Sequence, residues 1–291
     1  MGTILSSTVW GRWRLDWGQR THVMGIINVT PDSFSGDGML RATTQGEQAA
    51  LQALEQARGF VAEGATLIDV GGESTRPDFT PLPLEEELGR VIPVVKLLAA
   101  NLPPEVIISI DTYKAGVARQ ALEAGACMVN DIWALQRDPA MAGLVAERGV
   151  PVVMMANMRG CEKREIVSDV IRFLTRGIEL ALDAGVAWEN IILDPGIGFG
   201  TTSAENLTLL RRLGELRALG RPILLGSSRK STIGRILGNL PPSERLEGTA
   251  ATVALGIAQG ADIVRVHDVR EMMRVVKVSD AIVRDNWREE A

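Results

Sequence analysis

Residues 123–131 read E-A-G-A-C-M-V-N-D, and this stretch decides the fold. A helical run ends at Ala124, Gly125 stands where a helix stops, and a short apolar strand follows that ends on Asn130-Asp131. Glycine is favoured just past a helix because it enters the left-handed region at no steric cost. The same joint recurs as EGAT at 63–66, DAGVA at 183–187 and QGAD at 259–262. One helix-to-strand connection used four times means a repeating βα unit.

Outward from these joints, eight short apolar runs alternate with longer stretches of helical period. The runs are His22–Asn28, Thr66–Val70, Val106–Ile110, Cys127–Asn130, Pro151–Met155, Asn190–Leu193, Pro222–Leu225 and Asp262–Val266. They are continuous Ile, Val, Leu and Met rather than alternating, as in parallel strands covered on both faces. Between them, 46–63 carries Ala50, Leu51, Leu54, Ala57 and Val61 on one helical face, and 84–99, 115–124, 165–184, 204–219 and 247–259 behave similarly. Eight such units in series predict an α/β protein, a single-domain (β/α)8 TIM barrel, with a doubly wound open sheet as the competing fold. Residues 1–21 form an N-terminal segment in which 8–15 are expected to make a short β-hairpin at the bottom of the barrel. The barrel itself takes 22–291.

A chain of 291 residues that is 46% hydrophobic can bury one large core without staples. Its net charge of −5 lacks the basic footprint of nucleic-acid binders, so an anionic ligand must be met by particular cations or a metal. Cys127 and Cys161 have no metal-ligand spacing and are expected to be reduced, as in the cytoplasm. No secretory h-region opens the sequence, and no apolar run is long enough to span a bilayer.

Function is legible at the strand ends. Asn28, Asp69, Asp111, Asn130-Asp131, Asn157, Asp194, Ser227-Ser228-Arg229-Lys230, and Arg265 with His267 close or follow successive strands. A lone Asp after a strand usually caps the next helix. Nearly every strand ending in a carboxylate, amide or cation is different, because in a barrel these ends converge on the face that carries the active site. Asp111, Asn130 and Asp194 suit a flat heterocycle with adjacent N–H and NH2 donors. Arg76, Arg265, His267 and the Asn28 loop suit a phosphate group. No serine or cysteine has the setting of a nucleophile.

Seven segments carry a resemblance: MGIINVTPDSFSGDG (24–38), IDVGGESTRP (68–77), SIDTYK (109–114), VND (129–131), LDPGIGFG (193–200), GSSRKS (226–231) and RVHD (265–268). In this order they resemble the dihydropteroate synthase family of pterin-binding enzymes. The resemblance implies condensation of a dihydropterin diphosphate with p-aminobenzoate, by loss of diphosphate from the pterin methylene and attack of the arylamine on the resulting cation. It places the pterin among Asp111, Asn130, Asp194 and Lys230, and the diphosphate against Asn28, Thr75, Arg76, Arg265 and His267. Phe34, Thr75, Pro77, Lys230 and Ser231 become the p-aminobenzoate walls. Asp111, Lys230, Arg265 and His267 become the catalytic set, and Asn28 becomes the contact for Mg2+. A homodimer is implied too.

Three positions depart from the family's common pattern: Met155-Ala156-Asn157 where Met-His is usual, Thr201 where lysine is common, and Asp78 where glycine is frequent. None belongs to the set assigned to the pterin or diphosphate. Two rival readings share the pocket: a methyltetrahydrofolate–corrinoid methyltransferase and a non-catalytic pterin-binding protein. The first does not need the SRK cations or the long first two loops, and intact Asp111, Lys230 and Arg265 speak against the second.

Overall fold

The computed structural model describes residues 5–29, 42–74 and 81–288. A hairpin comes first, β1 (Thr8–Trp10) paired antiparallel with β2 (Trp13–Leu15). Eight strands follow: β3 (His22–Asn28), β4 (Leu67–Gly71), β5 (Ile107–Asp111), β6 (Met128–Asp131), β7 (Val152–Met155), β8 (Ile191–Asp194), β9 (Leu224–Leu225) and β10 (Ile263–Val266). All neighbouring pairs are parallel, in the order β8-β7-β6-β5-β4-β3-β10-β9, and a bridge between Leu193 and Ile223 joins the two ends. The sheet is therefore a barrel, and the open-sheet alternative falls.

Nine α-helices are described: α1 (Ala42–Ala62), α2 (Leu84–Asn101), α3 (Ala115–Ala124), α4 (Met141–Arg148), α5 (Ile166–Asp183), α6 (Ser203–Arg211), α7 (Ser231–Ile236), α8 (Leu246–Ala258) and α9 (Val269–Val283). Strand residues such as Met24, Leu67, Ile68, Val70, Ile110, Val152, Val153 and Leu193 have no solvent exposure, as the unbroken apolar runs required. Gly125 caps α3 at φ +117°, and a Cβ there would stand 2.5 Å from that of Ala99, so only glycine lets α3 turn into β6 this tightly. The expected helix over 204–219 is interrupted. α6 stops at Arg211, and Leu213–Leu219 continue as a tighter 3-10 helix, with Leu213 and Leu216 buried. Gly214, the weakest helix former of that stretch, lies just past the break.

The hairpin lies at the strand-start end. Trp10 Nε1 donates to Cys127 O (2.8 Å), just before β6, and the Thr8 hydroxyl donates to Glu189 O, just before β8. Trp17 packs edge-on against His22 at the start of β3. The chemistry-bearing ends are opposite, and the register aligns them. Asn28 pairs with Gly71, Gly71 with Asp111, Asp111 with Asn130, and Met155 with Asp194. Among the described residues no helix is long and apolar enough to cross a membrane.

Candidate active site

At the C-terminal end of the barrel, a cavity is lined by Asp111, Asn130, Ile132, Met155, Asp194, Ile197, Phe199, Gly226, Lys230 and Arg265. Apolar walls with a few convergent polar groups are the character of a small-molecule site. A larger, open groove runs along the outside of α5, lined by Arg172, Arg176, Glu179 and Asp183. It gathers no strand ends, and surface charges of both signs alternate along it, so the chemistry belongs to the smaller cavity.

Each polar wall residue arrives from a different element. Asp111 ends β5 and accepts from Arg265 Nη2 at 2.8 Å. The Arg265 Nε donates to Asp69 Oδ2 at 2.6 Å, which also accepts from Asn130 Nδ2 at 2.9 Å. Asp194 ends β8, and its Oδ1 accepts from Gly196 N at 2.7 Å. Gly196 holds φ +74°, and a Cβ would stand 1.8 Å from Ala156 O. The turn after β8 can thus close against the fifth loop only through glycine. Lys230 immediately precedes α7, and its Nζ stands 4.3 Å from the centre of the Phe199 ring. A desolvated cation over an aromatic face is an attractive arrangement.

Burial dominates the electrostatics. It raises the Asp111 carboxyl to about 7, against the opposing pull of Arg265 and with help from Asp69, Glu87 and Asp131. It raises Asp194 to about 6, against the Gly196 N–H and the charges of Lys230 and Arg265. It lowers Lys230 to about 8, with Asp194 opposing. Burial thus disfavours the charged forms of two carboxylates and an amine. A ligand presenting N–H donors to the acids and an acceptor to the lysine would favour those forms.

His267 follows β10 at the rim. Burial, then Arg265 and Arg229, lower its imidazole to about 4, so in the ligand-free protein it is neutral at pH 7. The Ser228 hydroxyl accepts from His267 N (3.2 Å) and lies 2.9 Å from Nδ1. A hydroxyl that accepts the backbone N–H can donate its own proton to Nδ1, which leaves the proton of the neutral ring on Nε2. Arg229 is committed elsewhere, to Asp268. Asn28 is exposed at the end of β3, and Ser231, also exposed, opens α7.

The strand-end reading thus brought Asp111, Asn130, Asp194, Lys230 and Arg265 together, with Asn28, His267 and Ser231 around the same end. Arg265 lies beside the acids assigned to the heterocycle, paired with Asp69 and Asp111. Phe34, Thr75, Arg76, Pro77 and Asp78 lie outside the described residues. The apolar walls Ile132, Met155, Ile197 and Phe199 were not singled out in the sequence. The signal for two of them was on the page, since Ile197 and Phe199 lie inside LDPGIGFG. Asp69 was noted as a strand-end carboxylate and given no role.

A model of the family described as pterin binding enzyme matches residues 24–267, more than half of the chain. The chain belongs to the dihydropteroate synthase family of pterin binding enzymes. It is 46% identical over 269 residues to the dihydropteroate synthase of Bacillus subtilis (strain 168), covering 92% of this chain and 91% of that one. Its fold superposes with TM-score 0.86 on a Clostridium difficile dihydropteroate synthase crystallised in the presence of pteroic acid, at 48% identity over 93% of this chain and 99% of that one. With the Xanthomonas albilineans dihydropteroate synthase in complex with 7,8-dihydropteroate the TM-score is 0.82, at 39% identity over 92% and 95%. The family's departures are mild here. Ala156 is buried and donates its N–H to Asp194 O (3.0 Å), while Thr201 hydrogen-bonds Asn206 (2.6 Å) and accepts from Gly198 N (3.1 Å).

Proposed function

We propose that this chain condenses (7,8-dihydropterin-6-yl)methyl diphosphate with p-aminobenzoate to give 7,8-dihydropteroate and diphosphate. The observation that carries the reading is the single cavity lined by Asp111, Asn130, Asp194, Lys230 and Arg265, in a member of this family. Asp111 and Asp194 accept from the amino and N–H groups of the pterin, Asn130 completes that edge, and Lys230 donates to the ring carbonyl or nitrogen. Buried acceptors of this kind reject rings that lack the donors, because the acids would then remain unpaired.

Loss of diphosphate leaves a cation spread over the methylene and ring, and the Asp111 carboxylate faces that developing charge. His267, neutral and protonated on Nε2, donates to the departing diphosphate without carrying charge of its own, and Arg265 supports its inner oxygens. The amine of p-aminobenzoate is neutral at pH 7 and attacks without prior deprotonation; the new ammonium then gives up one proton, which the released diphosphate can accept. Exclusion of water by the first two loops protects the cation. Phe34, Thr75, Pro77, Lys230 and Ser231 form the p-aminobenzoate walls, with Thr75 and Arg76 reaching the diphosphate.

Asn28 would hold a magnesium ion at the diphosphate end of the site. Its amide oxygen is a hard neutral donor at the exposed mouth, and Mg2+ typically takes one or two protein ligands beside water and phosphate. When bound, the ion would neutralise charge on the leaving group. The same reading carries a homodimer and a cytoplasmic location. The latter is supported by Cys127 and Cys161, which are both free of any disulfide.

The test is to incubate the purified protein with the dihydropterin diphosphate, Mg2+ and p-aminobenzoate, and to measure dihydropteroate and released diphosphate. Binding of the pterin substrate without turnover would favour a non-catalytic pterin-binding protein. Preferential binding of methyltetrahydrofolate would favour a methyltransferase. Unchanged p-aminobenzoate KM and sulfonamide inhibition on mutating Phe34 and Pro77 would remove those walls from the assignment.

A further inference from the structure

Asp69 does not line the cavity, yet two residues that do are fastened to it. It lies on β4, wholly buried, in register with Ile26 on one side and Ser109 on the other. Its Oδ2 accepts from both Arg265 Nε (2.6 Å) and Asn130 Nδ2 (2.9 Å). Its Oδ1 is buried and has no hydrogen-bond partner among the described residues. A buried carboxylate with one oxygen unsatisfied is a liability to the fold, where an apolar side chain like the neighbouring Ile68 and Val70 would serve better. What it gives in return must be sought in the groups it holds.

Both of those groups have an orientation that matters. An asparagine amide can turn over at little cost in the open, but here the carboxylate repels its carbonyl oxygen and takes one of its N–H groups. That leaves the other N–H and the carbonyl oxygen for a ligand, a donor beside an acceptor. The amino-pyrimidine edge of a pterin offers the complement. Arg265 is held by carboxylates from two different strands, Asp69 through Nε and Asp111 through Nη2, which fixes the plane of its guanidinium at the cavity wall.

We propose that Asp69 is a positioning residue for the pterin substrate, setting the Asn130 amide and the Arg265 guanidinium from behind the cavity wall. This deepens the function proposed above and rests on it. Asp69→Asn conserves volume and keeps one oxygen between the two donors, but it removes the charge that strengthens both bonds and leaves the amide free to turn its NH2 toward them, so the hold on Asn130 and Arg265 weakens. Expected are a rise of at least ten-fold in the KM for the dihydropterin diphosphate and a p-aminobenzoate KM, at saturating pterin, within about two-fold of wild type.

A second readout is the acid limb of kcat/KM, set by Asp111. The charged and titratable groups that act on Asp111 are Arg265 from β10, Asp69 from β4, Glu87 from α2 and Asp131 from β6, with Asp194 and Lys230 lining the same cavity. Removing the negative charge of Asp69 favours ionised Asp111, so the limb moves to lower pH in the variant. A residue that served only the fold would lower the melting temperature and leave the KM in place, and that result would overturn the proposal. Equal loss for both substrates would overturn it too.

Should Asp69→Asn not fold, wild-type NMR carries the test. One Asn130 side-chain N–H, assigned by comparison with an Asn130→Ser protein, is expected to be protected from exchange before ligand is added. Both protons exchanging at solvent rates would refute the arrangement. A wild type that binds no pterin would refute the parent reading and this one with it, whereas pterin binding with an unchanged KM in Asp69→Asn would refute this one alone.

Discussion

Replacing Asp111 with asparagine should make the protein more stable and a poorer enzyme, by amounts that can be worked from its surroundings. Burial holds the folded carboxyl near 7 against an ordinary value of 3.8, so the ionised form is penalised by about 4 kcal/mol relative to the neutral one at 1.36 kcal/mol per pH unit. Below about pH 4 both folded and unfolded chains hold the proton, and asparagine gains nothing. Between about 4 and 7 the unfolded chain releases the proton while the folded one keeps it, so wild-type stability falls as pH rises through that window. Asparagine resembles the protonated form and escapes the loss. For a chain of this size the full difference corresponds to roughly 6 °C in melting temperature at pH 8. The pterin meanwhile loses one charge-assisted hydrogen bond, worth about 1.5–3 kcal/mol, or roughly 10- to 150-fold in kcat/KM. Thermal melts of both proteins from pH 4 to 8, beside steady-state kinetics, test the pair of effects. A melting difference that stays flat with pH, or a variant that is less stable at pH 8, would refute the account of Asp111 as a desolvated, ligand-seeking carboxylate.

Three further outcomes are expected. Lys230→Met keeps the apolar stem but removes the cation that lies over Phe199 and opposes the rise of Asp194, so pterin kcat/KM should fall about 100-fold. In the wild type the alkaline limb should fall near pH 8, and a limb two units higher would contradict the desolvated lysine. By nitrogen-15 NMR neither His22 nor His267, both lowered to about 4 by burial, should titrate between pH 5.5 and 8. His267 should carry its proton on Nε2, and Ser228→Ala should shift that tautomer balance and weaken diphosphate-bearing pterins more than pterins without the diphosphate. Asn28→Ala, at an exposed position, should change stability by no more than about 0.5 kcal/mol while raising the Mg2+ concentration for half-maximal activity several-fold; an unchanged requirement would remove Asn28 from the metal site.

The barrel could be read from the chain because its evidence is local. Gly64, Gly125, Gly185 and Gly260 all take positive φ, so the four joints seen in the sequence are one backbone solution repeated. The strand-end residues were legible for the same reason, since ending a strand is a property of neighbours in sequence. Pairings between distant strands were not. Asp69 and Arg265 are 196 positions apart, and nothing in either segment says that they meet. Without that pairing Asp69 reads as one more strand-end acid. Strand register decides between the two acids: Asp111 stands level with Gly71, and Asp69 one side-chain layer below, level with Ser109. The departure at Thr201 makes the same point from the other side. A position where the family commonly carries lysine has a hydroxyl, which by sequence is a lost charge. In space a cation returns to the same turn from the fifth loop, where Lys163 Nζ donates to Gly200 O (2.7 Å) and pairs with Glu205 (2.8 Å). The loops after β7 and β8 therefore have to be read together, because the first brings a lysine to the turn where the second carries a threonine.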